Sequence, residues 1–137
     1  MTTHLQTIPT HDDKGNDTGI LVPIWNKAFD HRKVKQVYVT TILPGKHKGP
    51  HLHHHRAGAF TVLVGKVLIV TREYGMYKQH ICAEGFKTIH VPEGVPACLY
   101  NIGSEPAMVL NCPSKPWVDN SDEHVPEDWD YEAPCAV

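Results

Sequence analysis

Residues Phe60–Thr71 read FTVLVGKVLIVT. The runs FTVLV and VLIVT are almost wholly apolar and largely β-branched, the composition that fits a pleated, buried surface. Each is of strand length and too short for an independent helix. Gly65-Lys66 between them predicts a tight hairpin. The same punctuation repeats outward. Upstream, Lys35–Leu43 (KQVYVTTIL) ends at Pro44-Gly45. Downstream, Tyr77–Cys82 and Lys87–Val91 flank Ala83-Glu84-Gly85, and Cys98–Ile102 and Ala107–Asn111 flank Gly103-Ser104-Glu105. Short strands at regular spacing predict an all-β fold, an antiparallel sandwich or barrel. The core spans about residues 20–113. The acidic, Pro-broken segment 114–137 is expected to pack on the barrel. Trp117 and Trp129 there are expected to serve surface packing.

Composition excludes several classes. The chain has 137 residues, 41% hydrophobic and 20% charged, enough apolar material for one globular domain over 1–137. A net charge of -2 offers no basic surface for nucleic acid. No apolar run approaches the length of a membrane span, and the polar N-terminus is no secretory signal, so no membrane partner and a cytoplasmic location are expected. The four cysteines show no CxxC spacing and are expected to stay reduced as small buried hydrophobes. Ile20–Trp25 (ILVPIW) is an apolar strand without an evident partner, which predicts a homodimer.

The 11 histidines point to metal ligation or proton transfer. They cluster at Gly49–Arg56, GPHLHHHR. On a strand, alternate side chains share a face, so His51, His53 and His55 would point one way and Leu52 and His54 the other. Two imidazoles converging inside a barrel suit a metal ion or an acid–base pair. His90, on the strand KTIHV, is a further candidate ligand. Arg56, directly after the run, is the first candidate for an anionic group, with Lys48 and Arg72 behind it. Tyr38 and Tyr100 are strand residues able to place a hydroxyl in the barrel, as well as core tyrosines.

These residues resemble the cupin superfamily, whose fold is the double-stranded β-helix (jelly-roll) barrel. Gly45, the spacer KHKGP, His51-Leu52-His53 and then Gly65 match the first cupin motif. Pro92-Glu93-Gly94-Val95-Pro96-Ala97 followed by Asn101 is similar to the second. Two ligand positions of the usual metal cage are changed: the motif glutamate falls on Gly58 and the second-motif histidine on Ala97. The resemblance therefore implies no required cofactor. If a metal were held, His51, His53, His55 and His90 would be its ligands. Lys48-Gly49-Pro50-His51-Leu52-His53 further resembles the Arg-Gly-x-His-x-His strand of sugar-nucleotide 3,4-ketoisomerases, relatives of the dTDP-4-dehydrorhamnose 3,5-epimerases. Trp117 stands where those epimerases carry an acidic tyrosine, and an indole does not titrate usefully.

The branch implies a metal-independent isomerase or epimerase acting on a nucleotide-linked 4-keto-deoxysugar, in surface polysaccharide or deoxysugar synthesis. His51 would be the base at C3 and His53 the proton shuttle. Arg56, Lys48, Arg72, Tyr38, Tyr100 and Trp117 would contact the nucleotide-sugar substrate. Two other classes remain open: a metal-dependent, dioxygenase-like cupin, and a non-catalytic sugar-binding cupin.

Overall fold

The computed structural model describes residues 2–24, 34–117 and 120–133. It contains eleven strands: β1 (Thr2–His4), β2 (Ile8–His11), β3 (Asp17–Leu21), β4 (Tyr38–Ile42), β5 (His47–His51), β6 (Gly58–Val64), β7 (Val67–Glu73), β8 (Met76–Cys82), β9 (Lys87–Val91), β10 (Ala97–Asn101) and β11 (Ala107–Asn111). The one helical element among the described residues is a 3-10 turn, Asn120–Asp122. Among the described residues no helix is long and apolar enough to cross a membrane.

Every strand pairing is antiparallel. One sheet has the order β1-β9-β6-β11-β4, the other β5-β10-β7-β8, and β2-β3 form a separate hairpin. From β4 to β7, and again from β8 to β11, successive strands alternate between the two large sheets. That alternation is the double-stranded β-helix of the jelly roll. It corrects one reading of the sequence. β6 and β7 belong to different sheets, so Gly65-Lys66 is a corner between sheets and not a hairpin turn. Gly65 is required there: its φ is +91°, and a Cβ would stand 3.0 Å from Ala107. The tight hairpin lies instead between β7 and β8, where Tyr74 and Gly75 both have positive φ, the signature of a type I′ turn.

The core between the sheets takes Ile42, Val62, Ile89, Ala107 and Val109 from the first and Val67, Ile69, Cys82 and Leu99 from the second, with Phe60 packed against them. The second sheet is also buried on its outer face. Leu68, Val70, Cys98, Tyr100 and Ile102 form a second cluster there, capped by Tyr77 and by Trp129 and Tyr131 of the C-terminal segment. β7 is thus apolar on both faces, which explains why its sequence is a continuous apolar run and not an alternating one. Trp129 and Tyr131 of the C-terminal segment pack on this outer cluster. The Trp129 ring meets Tyr77 edge-on at 5.0 Å and donates its indole N–H to the Tyr100 hydroxyl at 3.4 Å.

Candidate active site

β5 ends at His51, and Leu52 then bridges to His124 of the C-terminal segment with two backbone hydrogen bonds, 2.7 and 3.1 Å. The chain therefore leaves the sheet before His53, and the strict alternation read from the sequence does not hold past Leu52. His51 and His53 nevertheless converge: their ring centroids lie 6.0 Å apart and both line a cavity of about 670 Å³. Gly49 makes this approach possible. Its φ is +95°, and a Cβ there would stand 2.8 Å from the Ala97 carbonyl of β10. Ala97 pairs directly with His51, so a methyl occupies the place where the cupin pattern carries its second-motif histidine.

Tyr38, Lys48, Arg56 and Trp117 line the same cavity. Asn111 donates to the Tyr38 hydroxyl at 2.7 Å and accepts from the Ala59 N–H at 3.0 Å, so the phenolic hydrogen is left to donate into the cavity. Gln36 holds Trp117 at the rim through both of its backbone groups, accepting from its N–H at 2.7 Å and donating to its carbonyl at 3.2 Å. Lys48 is exposed, whereas Arg56 is only 6% exposed.

The sequence did not identify the carboxylates. The 3-10 turn and the residue after it bring Asp122 and Glu123 to the histidines. Glu123 stands 3.6 Å from His51 Nε2, and Asp122 stands 3.5 Å from His53 Nδ1. Asp122 also forms an ion pair with Arg56, its carboxylate 3.1 Å from Nε. Arg56 Nη2 lies 3.2 Å from His53 Nδ1 and 3.4 Å from its Nε2, so the guanidinium rests against the imidazole. Burial, followed by the Arg56 charge, holds the His53 imidazole below its ordinary value, outweighing the opposite pull of Asp122 and Glu123. This favours the uncharged imidazole at His53. Arg56 Nη1 is buried with no partner. An orphaned buried donor costs about 1–3 kcal/mol, so a partner that offsets the cost is called for.

Four candidates lie elsewhere. Arg72 points outward on β7, on the same side as Leu68 and Val70. There it pairs with Asp128 and sits over the Tyr77 ring at 5.6 Å. Tyr100 belongs to the outer aromatic cluster, where burial pushes its phenol up. His55 is exposed beside His54, the chain having left the strand. His90 faces away from the cavity and meets Thr3 of β1 at 3.3 Å. Asp119, Trp25 and Cys135 lie outside the described residues. Cys82, Cys98 and Cys112 are free thiols, and burial pushes Cys98 up to about 11, which leaves it inert.

The set that could hold a metal differs from the expected one. At Gly58 a Cβ would stand 2.7 Å from the Phe60 ring, so the motif glutamate would have to displace that ring. Among the described residues, His51, His53 and Glu123 place one ligand atom each within 4.8 Å of one another. Two imidazoles and a carboxylate are ligands that a divalent transition ion accepts.

Comparison with known proteins places the chain. No curated protein matches the sequence significantly. Among solved structures, a dTDP sugar isomerase from Desulfovibrio desulfuricans G20 superposes with a TM-score of 0.72 at 22% identity, over 93% of this chain and 84% of that one. QdtA, a sugar 3,4-ketoisomerase from Thermoanaerobacterium thermosaccharolyticum in complex with TDP, gives 0.71 at 21%, over 93% and 88%. The capsular polysaccharide assembling protein CapF from Staphylococcus aureus gives 0.61 at 23%. That match covers 66% of this chain and 26% of CapF, so the chain corresponds to about a quarter of that protein. These likenesses establish a common fold. The profile described as polysaccharide biosynthesis C-terminal domain matches residues 15–122, most of the barrel and the turn that carries Asp122. The chain therefore belongs to the polysaccharide biosynthesis C-terminal domain family.

Proposed function

We propose that residues 1–137 form one catalytic unit, an isomerase or epimerase that moves a proton beside the carbonyl of a nucleotide-linked 4-keto-deoxysugar. Its place would be the synthesis of a surface polysaccharide or deoxysugar. The observation that carries this reading is the convergence of His51 and His53 on one cavity, each with a carboxylate behind it and Arg56 against the second ring. A carbon beside a carbonyl is weakly acidic, and an imidazole with a pKa near about 6.5 serves as base or acid at neutral pH. His51, oriented by Glu123, takes the proton; His53, whose uncharged form burial favours, relays it. Tyr38 donates to a sugar oxygen, Lys48 meets the diphosphate at the open side, and Trp117 covers the rim. The sugar-isomerase neighbours and the polysaccharide family support the substrate class.

We further place the protein in a cytoplasm, in keeping with its free thiols, and as a homodimer. Ile20 and Leu21 on β3 are 56% and 55% exposed, and the outer face of the first sheet exposes Val39, Val64 and Met108. Apolar surface of this kind marks an interface. A monomer in sedimentation at micromolar concentration contradicts the dimer.

The test of activity is a panel of dTDP-, UDP- and GDP-linked 4-keto-6-deoxysugars in heavy water, followed by NMR. Deuterium entering beside the carbonyl, with an isomerised or epimerised product, is expected. Neither exchange nor product with any of them refutes the reading and favours a sugar-binding module.

The His51, His53 and Glu123 cluster favours one second reading, a metal-supported cupin. A divalent ion held by those three groups would polarise the sugar carbonyl as a Lewis acid. Metal analysis of untagged protein separates the two. Stoichiometric metal whose chelation abolishes activity selects the second.

A further inference from the structure

We infer that Arg56 is a catalytic residue that takes up the negative charge developing on the substrate's carbonyl oxygen, and is not a ligand of the diphosphate; this rests on the isomerase reading above. The burial of the two cavity cations separates their tasks. Lys48 is exposed, whereas Arg56 is 6% exposed and lies beside the histidines. A diphosphate is a strongly hydrated anion and suits the open side, where water still solvates it. The reacting carbon must reach the imidazoles, so its neighbouring oxygen comes to the buried side, where Arg56 Nη2 lies 3.2 Å from His53.

The bonding of the guanidinium points the same way. Nε is taken by Asp122 and Nη2 lies against His53, while Nη1 is buried and has no partner. The planar fork of a guanidinium holds its N–H groups in a fixed direction. A donor fixed in place before the reaction, in a site poor in water, is the arrangement that stabilises a developing oxyanion most. Asp122 and His53 hold it there without occupying Nη1.

The step balances without any redox partner. His51 accepts the proton from the carbon beside the carbonyl. The C–H electron pair becomes a carbon–carbon double bond, and the carbonyl pair moves onto oxygen as an enolate against Arg56. Return of a proton to the same carbon from an imidazolium restores the carbonyl and completes an epimerisation. In an isomerisation the neighbouring hydroxyl's proton passes to the enolate oxygen, the imidazolium protonates the former carbonyl carbon, and the carbonyl forms at the neighbour. Arg56 neither gains nor loses a proton.

The experiment compares wild type, Arg56→Gln, Arg56→Lys and Arg56→Ala. It measures kcat at saturating 4-keto-6-deoxysugar nucleotide, and binding of TDP and UDP by calorimetry. Melting curves select the variants that fold, and Arg56→Lys, which keeps the charge, provides a conservative alternative. Loss of one preorganised oxyanion donor lowers kcat by about 100- to 1,000-fold. We expect that loss in Arg56→Gln, a smaller one in Arg56→Lys, partial rescue of Arg56→Ala by added guanidinium, and nucleoside diphosphate binding within about three-fold of wild type. Three results overturn the inference: a kcat loss below ten-fold in Arg56→Gln, a loss in folded Arg56→Ala that guanidinium does not rescue, or TDP and UDP binding weakened ten-fold or more. If wild type itself shows neither turnover nor exchange, the isomerase reading has failed and Arg56 loses the role with it. That failure is visible before any variant is made.

Discussion

Glu123, carried by the segment that follows the last strand, stands 3.6 Å from Nε2 of His51 on β5. Its neighbour Asp122 makes the parallel approach to His53. Each histidine thus has its own carboxylate, both delivered by one short turn. An imidazole that shuttles a proton needs a fixed orientation, and a carboxylate behind the ring provides it.

His51→Asn and His53→Asn should each remove most activity on a 4-keto-6-deoxysugar nucleotide while the fold persists. Acid–base groups contribute about 100- to 10,000-fold, well within a kinetic assay. The two losses should not add if the rings serve one proton path. His51→Asn should also abolish deuterium uptake from heavy water. Glu123→Gln should fall short of the His51→Asn loss, because it misaligns the base without removing it. Exchange that persists in His51→Asn would refute that assignment.

Trp129→Ala should lower both stability and kcat. The indole caps the outer aromatic cluster and bonds Tyr100, so its loss should cost about 2–3 kcal/mol, somewhat under the figure for a fully buried aromatic. Because the same segment carries Asp122 and Glu123, the variant should be slower at a temperature where it is still fully folded. Denaturant titration and kinetics on one sample check this. Unchanged kcat would show that Leu52 and His124 alone suffice to seat the turn.

Stability should decline as pH drops below about 6.5, the ordinary histidine value. Burial is the first cause holding the His80 and His90 imidazoles below that value, and the chain's amino terminus adds to it for both. Lys87 and Lys78 lower His80 further, against the opposing pull of Glu73. The unfolded chain therefore binds protons that the folded one refuses. Above the unfolded value these groups contribute no pH dependence; below it, stability is lost until the folded values are passed. Melting temperatures at pH 7.5 and 5.5 test the sign. A double His80→Gln, His90→Gln variant should flatten the slope.

Gly49→Ala should destabilise the protein by about 1–3 kcal/mol, the range for a residue forced into a sparsely populated backbone region. The added Cβ also meets the Ala97 carbonyl at 2.8 Å, and that atom is backbone and cannot step aside. Since Ala97 pairs with His51, the change should also displace the base. A fully active variant with wild-type stability would contradict the close approach of β5 and β10.

Much of the barrel was legible because its central strands are apolar and end at Gly or Pro. β4, β6, β7, β8, β9, β10 and β11 fall where FTVLV, VLIVT and their neighbours predict. The strands that escaped notice carry no such signal: Thr2–His4 and Ile8–His11 are short and largely exposed, and of Asp17–Leu21 only Ile20 and Leu21 fall in the apolar stretch Ile20–Trp25, whose partner proves to be β2. His47–His51 reads as a strand only through its histidines, since its Gly and Pro argue against one. At the site, His51 and His53 could be paired from spacing alone. Arg72 and Tyr100 could not be excluded, because β7 and β10 are buried on both sides and hydrophobicity says nothing of which side faces the cavity. Asp122 and Glu123 reach the histidines only through tertiary packing, and no local pattern encodes that.

The C-terminal segment has a consequence for the order in which the molecule becomes competent. A ribosome releases β4 to β11 before Asp122, Glu123, Trp129 and Tyr131, so the two sheets can meet while the histidines still lack their carboxylates and Leu68, Val70 and Tyr100 lie bare. The same peptide that covers this sticky face also seats the acidic groups beside the rings. Cover for the outer face and carboxylates for the histidines are then acquired together, late in synthesis, from one peptide.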